Sequence, residues 1–130
     1  MNTQQLFVFG ASMLVAALGG GAIAQQEDGK YVQVAEIEVD PMHLDAYKAE
    51  VQEQIETAIQ NEPGVLVLYA VSEKDDPSHI RVFEVYRDRN AYAAHLGSDH
   101  FKKYKATTEK MVKSLKLVQA IPIMLGAQSK

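Results

Sequence analysis

The chain has no cysteine and no tryptophan. Without cysteine there are no disulfides, no thiolate metal ligands, no thiol nucleophile and no lipid-bearing amino-terminal cysteine. Basic residues are outnumbered, 13 lysines and arginines against 17 acidic residues, for a net charge of −4. A nucleic-acid partner would want a basic face, so no nucleic-acid partner is expected. Charge is missing altogether from residues 1–24. No internal repeat stands out, and there is no low-complexity tract beyond that uncharged segment. What remains is ordinary for a globular protein: 130 residues, 47% hydrophobic and 23% charged, one domain's worth. A core of this size with no cross-link is marginal unless an oligomer extends it.

The uncharged segment reads as a processing signal. Leu6 to Ala24 is apolar or small throughout and ends in Ala22-Ile23-Ala24, just before Gln25-Gln26-Glu27-Asp28. Small residues at −3 and −1 match a signal-peptidase site and predict cleavage after Ala24. The five residues before Leu6 carry no lysine or arginine, which departs from the usual pattern. The alternative is an uncleaved anchor, since ~20 apolar residues suffice to span a bilayer. Gly19-Gly20-Gly21 weakens that helix. The expected organisation is a signal peptide over 1–24, a short linker over 25–30, a folded domain over 31–125 and a flexible tail over 126–130. The mature protein would be periplasmic or secreted, with no stable membrane anchor.

Tyr31 to Val39 alternates and is rich in β-branched residues, which predicts a strand. Asp40-Pro41 starts a helix, with aspartate as cap and proline in the first turn. Leu44, Tyr47, Val51, Ile55 and Ala58 then recur at steps of three and four, and Glu62-Pro63-Gly64 ends the helix. Val65 to Val71 is nearly all apolar, as a strand buried on both faces would be. Lys74-Asp75-Asp76-Pro77 is turn chemistry, and Ile80 to Tyr86 returns as a hairpin partner. Asp88-Arg89-Asn90 opens a short helix carrying Tyr92 and His95, which Gly97 closes. Ser98 caps a second helix whose face carries Phe101, Tyr104, Thr108, Met111 and Leu115. A last strand is expected over Leu117–Leu125, with Pro122 at an edge or bulge.

The order β-α-β-β-α-β predicts an α+β, ferredoxin-like protomer, an antiparallel sheet with helices on one face. The other face stays apolar and predicts a symmetric homodimer with the two sheets packed together.

One set of residues carries a family resemblance: Glu62-Pro63-Gly64, a strand, Asp76-Pro77, Phe83-Glu84-Val85-Tyr86-Arg87-Asp88, then Ala91, His95 and His100-Phe101. Together they resemble the antibiotic biosynthesis monooxygenase (ABM) domain, over roughly Tyr31 to Leu125. The resemblance implies a dimeric α+β barrel. It also implies a cofactor-independent monooxygenase that oxidises a small quinol or phenolic substrate with O2. Other family members isomerise small sugar-derived metabolites, and related folds degrade haem. An isomerase, or a non-enzymatic binding protein for an aromatic or haem-like ligand, is therefore the alternative. The family commonly has tryptophan where this chain has Tyr86.

Such chemistry needs no cofactor if the substrate is electron-rich, because a deprotonated phenol can pass an electron to oxygen itself. The protein must bind the ring, take a proton and stabilise an oxyanion. A histidine suits the proton step, so His95 is the first candidate base and His100 the second. Glu84 is a candidate to orient a histidine or act as base. Tyr69, Tyr86, Phe101 and Tyr104 are candidate substrate contacts. Each has a structural alternative: a buried paired histidine, a solvent-facing one, a core aromatic stripe, a glutamate paired to a structural arginine or lysine across the dimer. His95 and His100 are five apart across a glycine, not the i, i+4 spacing of a helical metal pair, and His43 and His79 lie on other elements. No metal site is expected. The lysines from Lys102 to Lys116 read as a solvated helix face, or as a lure for an anionic substrate.

Overall fold

The computed structural model describes residues 29–129. The expected signal peptide and its cleavage point fall outside the described residues, as does most of the linker. Among the described residues no helix is long and apolar enough to cross a membrane.

Four strands form one antiparallel sheet in the order β2-β3-β1-β4: β1 (Tyr31–Val39), β2 (Val65–Ser72), β3 (His79–Tyr86) and β4 (Val112–Ala120). Among the described residues three α-helices accompany them: α1 (Leu44–Asn61), α2 (Arg89–Leu96) and α3 (Asp99–Thr108). With α2 and α3 both in the second crossover, this is the ferredoxin-like β-α-β-β-α-β arrangement.

Local chemistry accounts for the boundaries. The Asp40 side chain accepts a hydrogen bond from the Met42 amide, and Pro41 to His43 form a 3-10 turn leading into α1. Asp88 caps α2 by accepting from the Ala91 amide at 2.8 Å. Gly97 closes α2, its amide donating to Ala93 and Ala94 carbonyls. Ser98 then starts α3 by accepting from the Phe101 amide. The chain therefore turns between two helices within Leu96–Asp99.

The pleat decides what meets what. Gln33, Ala35, Ile37 and Val39 of β1 face the helices together with Ile80, Val82, Glu84 and Tyr86 of β3, because Gln33 pairs with Glu84, Ala35 with Val82 and Ile37 with Ile80. Onto that face α1 lays Tyr47, Val51, Gln54 and Ala58. Tyr47, Ala58 and Val39 are fully buried. Burial of side chains such as Val39 and Ile80 supplies about 1.5–3 kcal/mol each.

Three expectations need correction. The helical face does not run on to Leu115. α3 stops at Thr108, whose carbonyl accepts from the Met111 amide in a turn, and β4 starts at Val112. Leu115 and Leu117 stand either side of Lys116, with Ser114 before them, a period of two that a helical reading cannot hold. The last strand thus lies earlier than Leu117–Leu125. It ends at Ala120, paired with Val32, and Pro122 falls beyond it because proline has no N–H to extend the ladder. Nor is β2 buried on both faces within one chain. It is an edge strand, and Tyr69 and Val71 stand 62% and 59% exposed on the face away from the helices.

Candidate active site

A cavity of about 230 Å³ lies between the helix-facing side of the sheet and the three helices. A ~150 Å³ apolar cavity takes up benzene, so this one has room for a substituted single ring. Its buried lining sets four polar side chains, Gln33, Gln54, Glu84 and His95, among apolar ones such as Ile37, Val51 and Leu68. Tyr86, Tyr92, Phe101 and Tyr104 form aromatic walls. Its more exposed lining is Leu96, Leu115 and Leu117, 39%, 43% and 50% exposed, with Lys105 beside them. That lining marks the mouth, at the β4 edge.

Glu84 sits in the middle of these four. Tyr86 donates its hydroxyl to Glu84 Oε1 at 2.7 Å, and Gln33 donates its amide to the same oxygen at 3.3 Å. Gln33 in turn accepts from the Tyr31 hydroxyl at 3.4 Å. Burial raises the Glu84 carboxyl above its ordinary value, and the bonds from Tyr86 and Gln33 only partly oppose this. No arginine or lysine pairs with Glu84 among the described residues. Beside it the Gln54 Oε1 is buried and has no hydrogen-bond partner. A ligand hydroxyl in the cavity is one group that would satisfy it.

His95 is 2% exposed and lines the cavity. Its Nδ1 lies 2.9 Å from Glu62 Oε2. A carboxylate only accepts, so Nδ1 carries the proton and Nε2 keeps a lone pair. Burial lowers the His95 pKa, an effect that the Glu62 contact opposes without overcoming. The ring is therefore neutral near neutral pH, the state a base requires. Phe101 packs on it with ring centroids 4.9 Å apart, and Tyr86 lies at 5.5 Å. His100 does not line the cavity. It donates from Nε2 to the same Glu62 oxygen at 2.5 Å, with Ser98 Oγ 3.1 Å away. His100 is thus a buttress to Glu62, at one remove from the ring of His95.

The three elements meet because Gly64 lets them. A Cβ at Gly64 would stand 2.6 Å from the Ala91 Cβ, so only glycine allows α2 this close to the start of β2. That approach puts Glu62, at the end of α1, against His95 on α2.

The structure therefore brings Glu84, Tyr86, His95, Phe101 and Tyr104 to one cavity, with His100 just behind. It does not bring Tyr69. Leu68 pairs with Glu84 and lines the cavity, so its neighbour Tyr69 must point to the opposite face, which corrects its expected substrate contact. Four contributors were overlooked. Gln33 and Gln54 fall in register with apolar positions, Gln33 in the alternation of β1 and Gln54 in the stripe of α1, so a polar residue on a buried face was visible. Tyr92 lies on its expected helix, and its sequence position gives no sign that it faces the cavity. Glu62 belongs to the helix-ending Glu62-Pro63-Gly64 motif, and no local pattern links it to a histidine 33 positions on.

Comparison with known proteins agrees with this picture. The model of the antibiotic biosynthesis monooxygenase family matches residues 30–107. The chain belongs to that family. Its structure is similar to that of a provisionally named antibiotic biosynthesis monooxygenase from Bacteriodes thetaiotaomicron, with 44% identity and a TM-score of 0.76 over 79% of this chain and 98% of the other. A provisionally named monooxygenase from Lactobacillus acidophilus matches at 26% identity and a TM-score of 0.71, over 72% of this chain and 45% of that longer one. A Nitrosomonas europaea protein of the same family name shares the fold at 24% identity and a TM-score of 0.69, over 72% and 90% of the two chains. Among curated proteins none matches. The ABM relatives thus carry a monooxygenase name, and this chain keeps their fold.

Proposed function

We propose that the chain is an ABM-family monooxygenase that oxidises a small phenol or quinol with O2, without flavin or metal in the chemical step. The observation that carries this reading is the neutral His95, held by Glu62 at Nδ1 and lining a ring-sized aromatic cavity. The substrate enters past Leu96, Leu115 and Leu117, and Lys105 near the mouth favours a phenolate. His95 Nε2 takes the phenolic proton. The phenolate passes one electron to O2, and the resulting radical pair combines at a ring carbon bearing hydrogen. Loss of water from that peroxide leaves a quinone. The step balances as phenol plus O2 to quinone plus water, with no outside reductant. The Tyr86–Glu84–Gln33 network borders the substrate's polar end, where a hydroxyl that keeps its proton donates to the Gln54 oxygen.

We also propose that two chains pair through the sheet face opposite the helices, where Tyr69, Val71 and Phe83 are exposed. Export is proposed from the uncharged amino-terminal segment ending at Ala24.

The test is oxygen consumption by the chelator-treated protein over a panel of small phenols and quinols. Monooxygenation consumes one O2 per quinone formed from a phenol, and added catalase returns none. Oxygen returned by catalase would indicate a simple oxidase. Saturable binding with no uptake would favour a binding protein, and conversion without oxygen an isomerase.

A further inference from the structure

The cluster behind the cavity has a property that proton transfer does not use. Glu62 Oε2, His95 Nδ1 and His100 Nε2 come from three separate elements, and all lie within 4.8 Å of one another. Their side chains are enclosed, at 15%, 2% and 19% exposure. An enclosed carboxylate needs a cation or several donors. Among the described residues no lysine or arginine pairs with Glu62; its partners are the two imidazoles, both on the same oxygen. Two helices also end here. Glu62 follows the last turn of α1, which holds no basic residue, and His95 lies in the last turn of α2. Both carboxy-terminal ends place partial negative charge near the cluster. The opposing amino-terminus of α3 is capped by Ser98.

We propose that Glu62, His95 and His100 bind a divalent first-row transition ion, with zinc as the best fit to two imidazoles and a carboxylate. Nitrogen and oxygen ligands at about 2.0–2.1 Å from zinc stand about 3.3 Å apart in a tetrahedron. Glu62 Oε2 now lies 2.9 Å and 2.5 Å from the two nitrogens and must withdraw by less than about 1 Å, while the two nitrogens, within 4.8 Å of each other, must settle at about 3.3 Å. Water completes the shell. The ion takes the place of the protons on His95 Nδ1 and His100 Nε2, and each neutral ring carries its single proton on its other nitrogen instead, with no net proton release. A neutral imidazole bound through Nδ1 carries its proton on Nε2. The ion would thus turn the cavity-facing nitrogen of His95 from acceptor to donor. That last consequence rests on the proposed function, whereas binding does not.

The test uses the metal-free chain titrated with zinc by calorimetry and with cobalt by visible absorbance. One ion per chain is expected, with tetrahedral cobalt bands. Affinity should fall at least about tenfold in Glu62→Gln and in His100→Ala, each checked for native circular dichroism, and stay unchanged when exposed His43 becomes alanine. Should those variants misfold, nitrogen-15 NMR of the unaltered chain decides: zinc should move the His95 proton from Nδ1 to Nε2. No saturable binding, binding that survives both substitutions or is lost in His43→Ala, or an unchanged His95 tautomer at saturation would each overturn the site. None of these readouts depends on turnover.

Discussion

His95 Nδ1 lies 2.9 Å from Glu62 Oε2, and that contact decides which nitrogen of the ring is left to act as a base. Because a carboxylate can only accept, the ring is held as the Nδ1–H tautomer. An amide in its place can accept or donate, and the ring loses its single orientation. Glu62→Gln should therefore lower kcat for oxygen uptake by about 10²-fold or more, with little change in KM. Steady-state kinetics on the two proteins check this.

Glu84 gives a pH signature of its own. Its carboxyl is raised above 4.5 in the folded state by burial. Between that ordinary value and the raised one, the folded protein holds a proton that the unfolded chain has released. Stability is then fullest below the ordinary value and declines as pH rises through the window. Glu84→Gln removes this decline while keeping an acceptor for Tyr86. Its stability relative to the parent should rise between acid and neutral pH, as read by urea unfolding at a series of pH values.

Gly64→Ala tests the close approach of α2 to β2. The added methyl meets the Ala91 Cβ at 2.6 Å, in a place where Ala91 is only 7% exposed. Overpacking of this kind costs about 1–3 kcal/mol. Denaturant melts should show that loss. The restoring change is Ala91→Gly, which removes the atom that Gly64→Ala strikes.

Tyr69 and Phe83 lie on the sheet face away from the cavity. A charge there should leave ligand affinity of the folded protomer unaffected but oppose pairing of two chains. Light scattering of Tyr69→Asp and Phe83→Asp is expected to give the mass of one chain, where the parent gives two.

Much of this architecture was legible because local chemistry dictates it. Asp40-Pro41, Asp88 and Gly97-Ser98 mark helix ends by their own hydrogen bonds, so the element order could be read one segment at a time. The stretch from Thr108 to Leu117 was less legible, since its first apolar residues suit a helix and its later ones a strand. The turn at Met111 is fixed by tertiary partners, with the Asp40 amide donating to its carbonyl. The candidate site divides in the same way. His95, Glu84 and Tyr86 could be singled out by residue type. Tyr69 could not be assigned a face, because Val65 to Val71 has no polar alternation to set its register, and a shift there also accompanies a bulge between Val65 and Val67. Glu62 was hidden by distance along the chain.

The most direct measurement is the oxygen-consumption rate of His95→Ala beside the parent, on the best phenol of the panel, with both proteins shown to be folded. Loss of a positioned base predicts a rate about 10²–10⁴-fold lower, with ligand still bound in the cavity. A variant that consumes oxygen as fast as the parent would contradict the assignment of His95, and with it the account of how this cavity works.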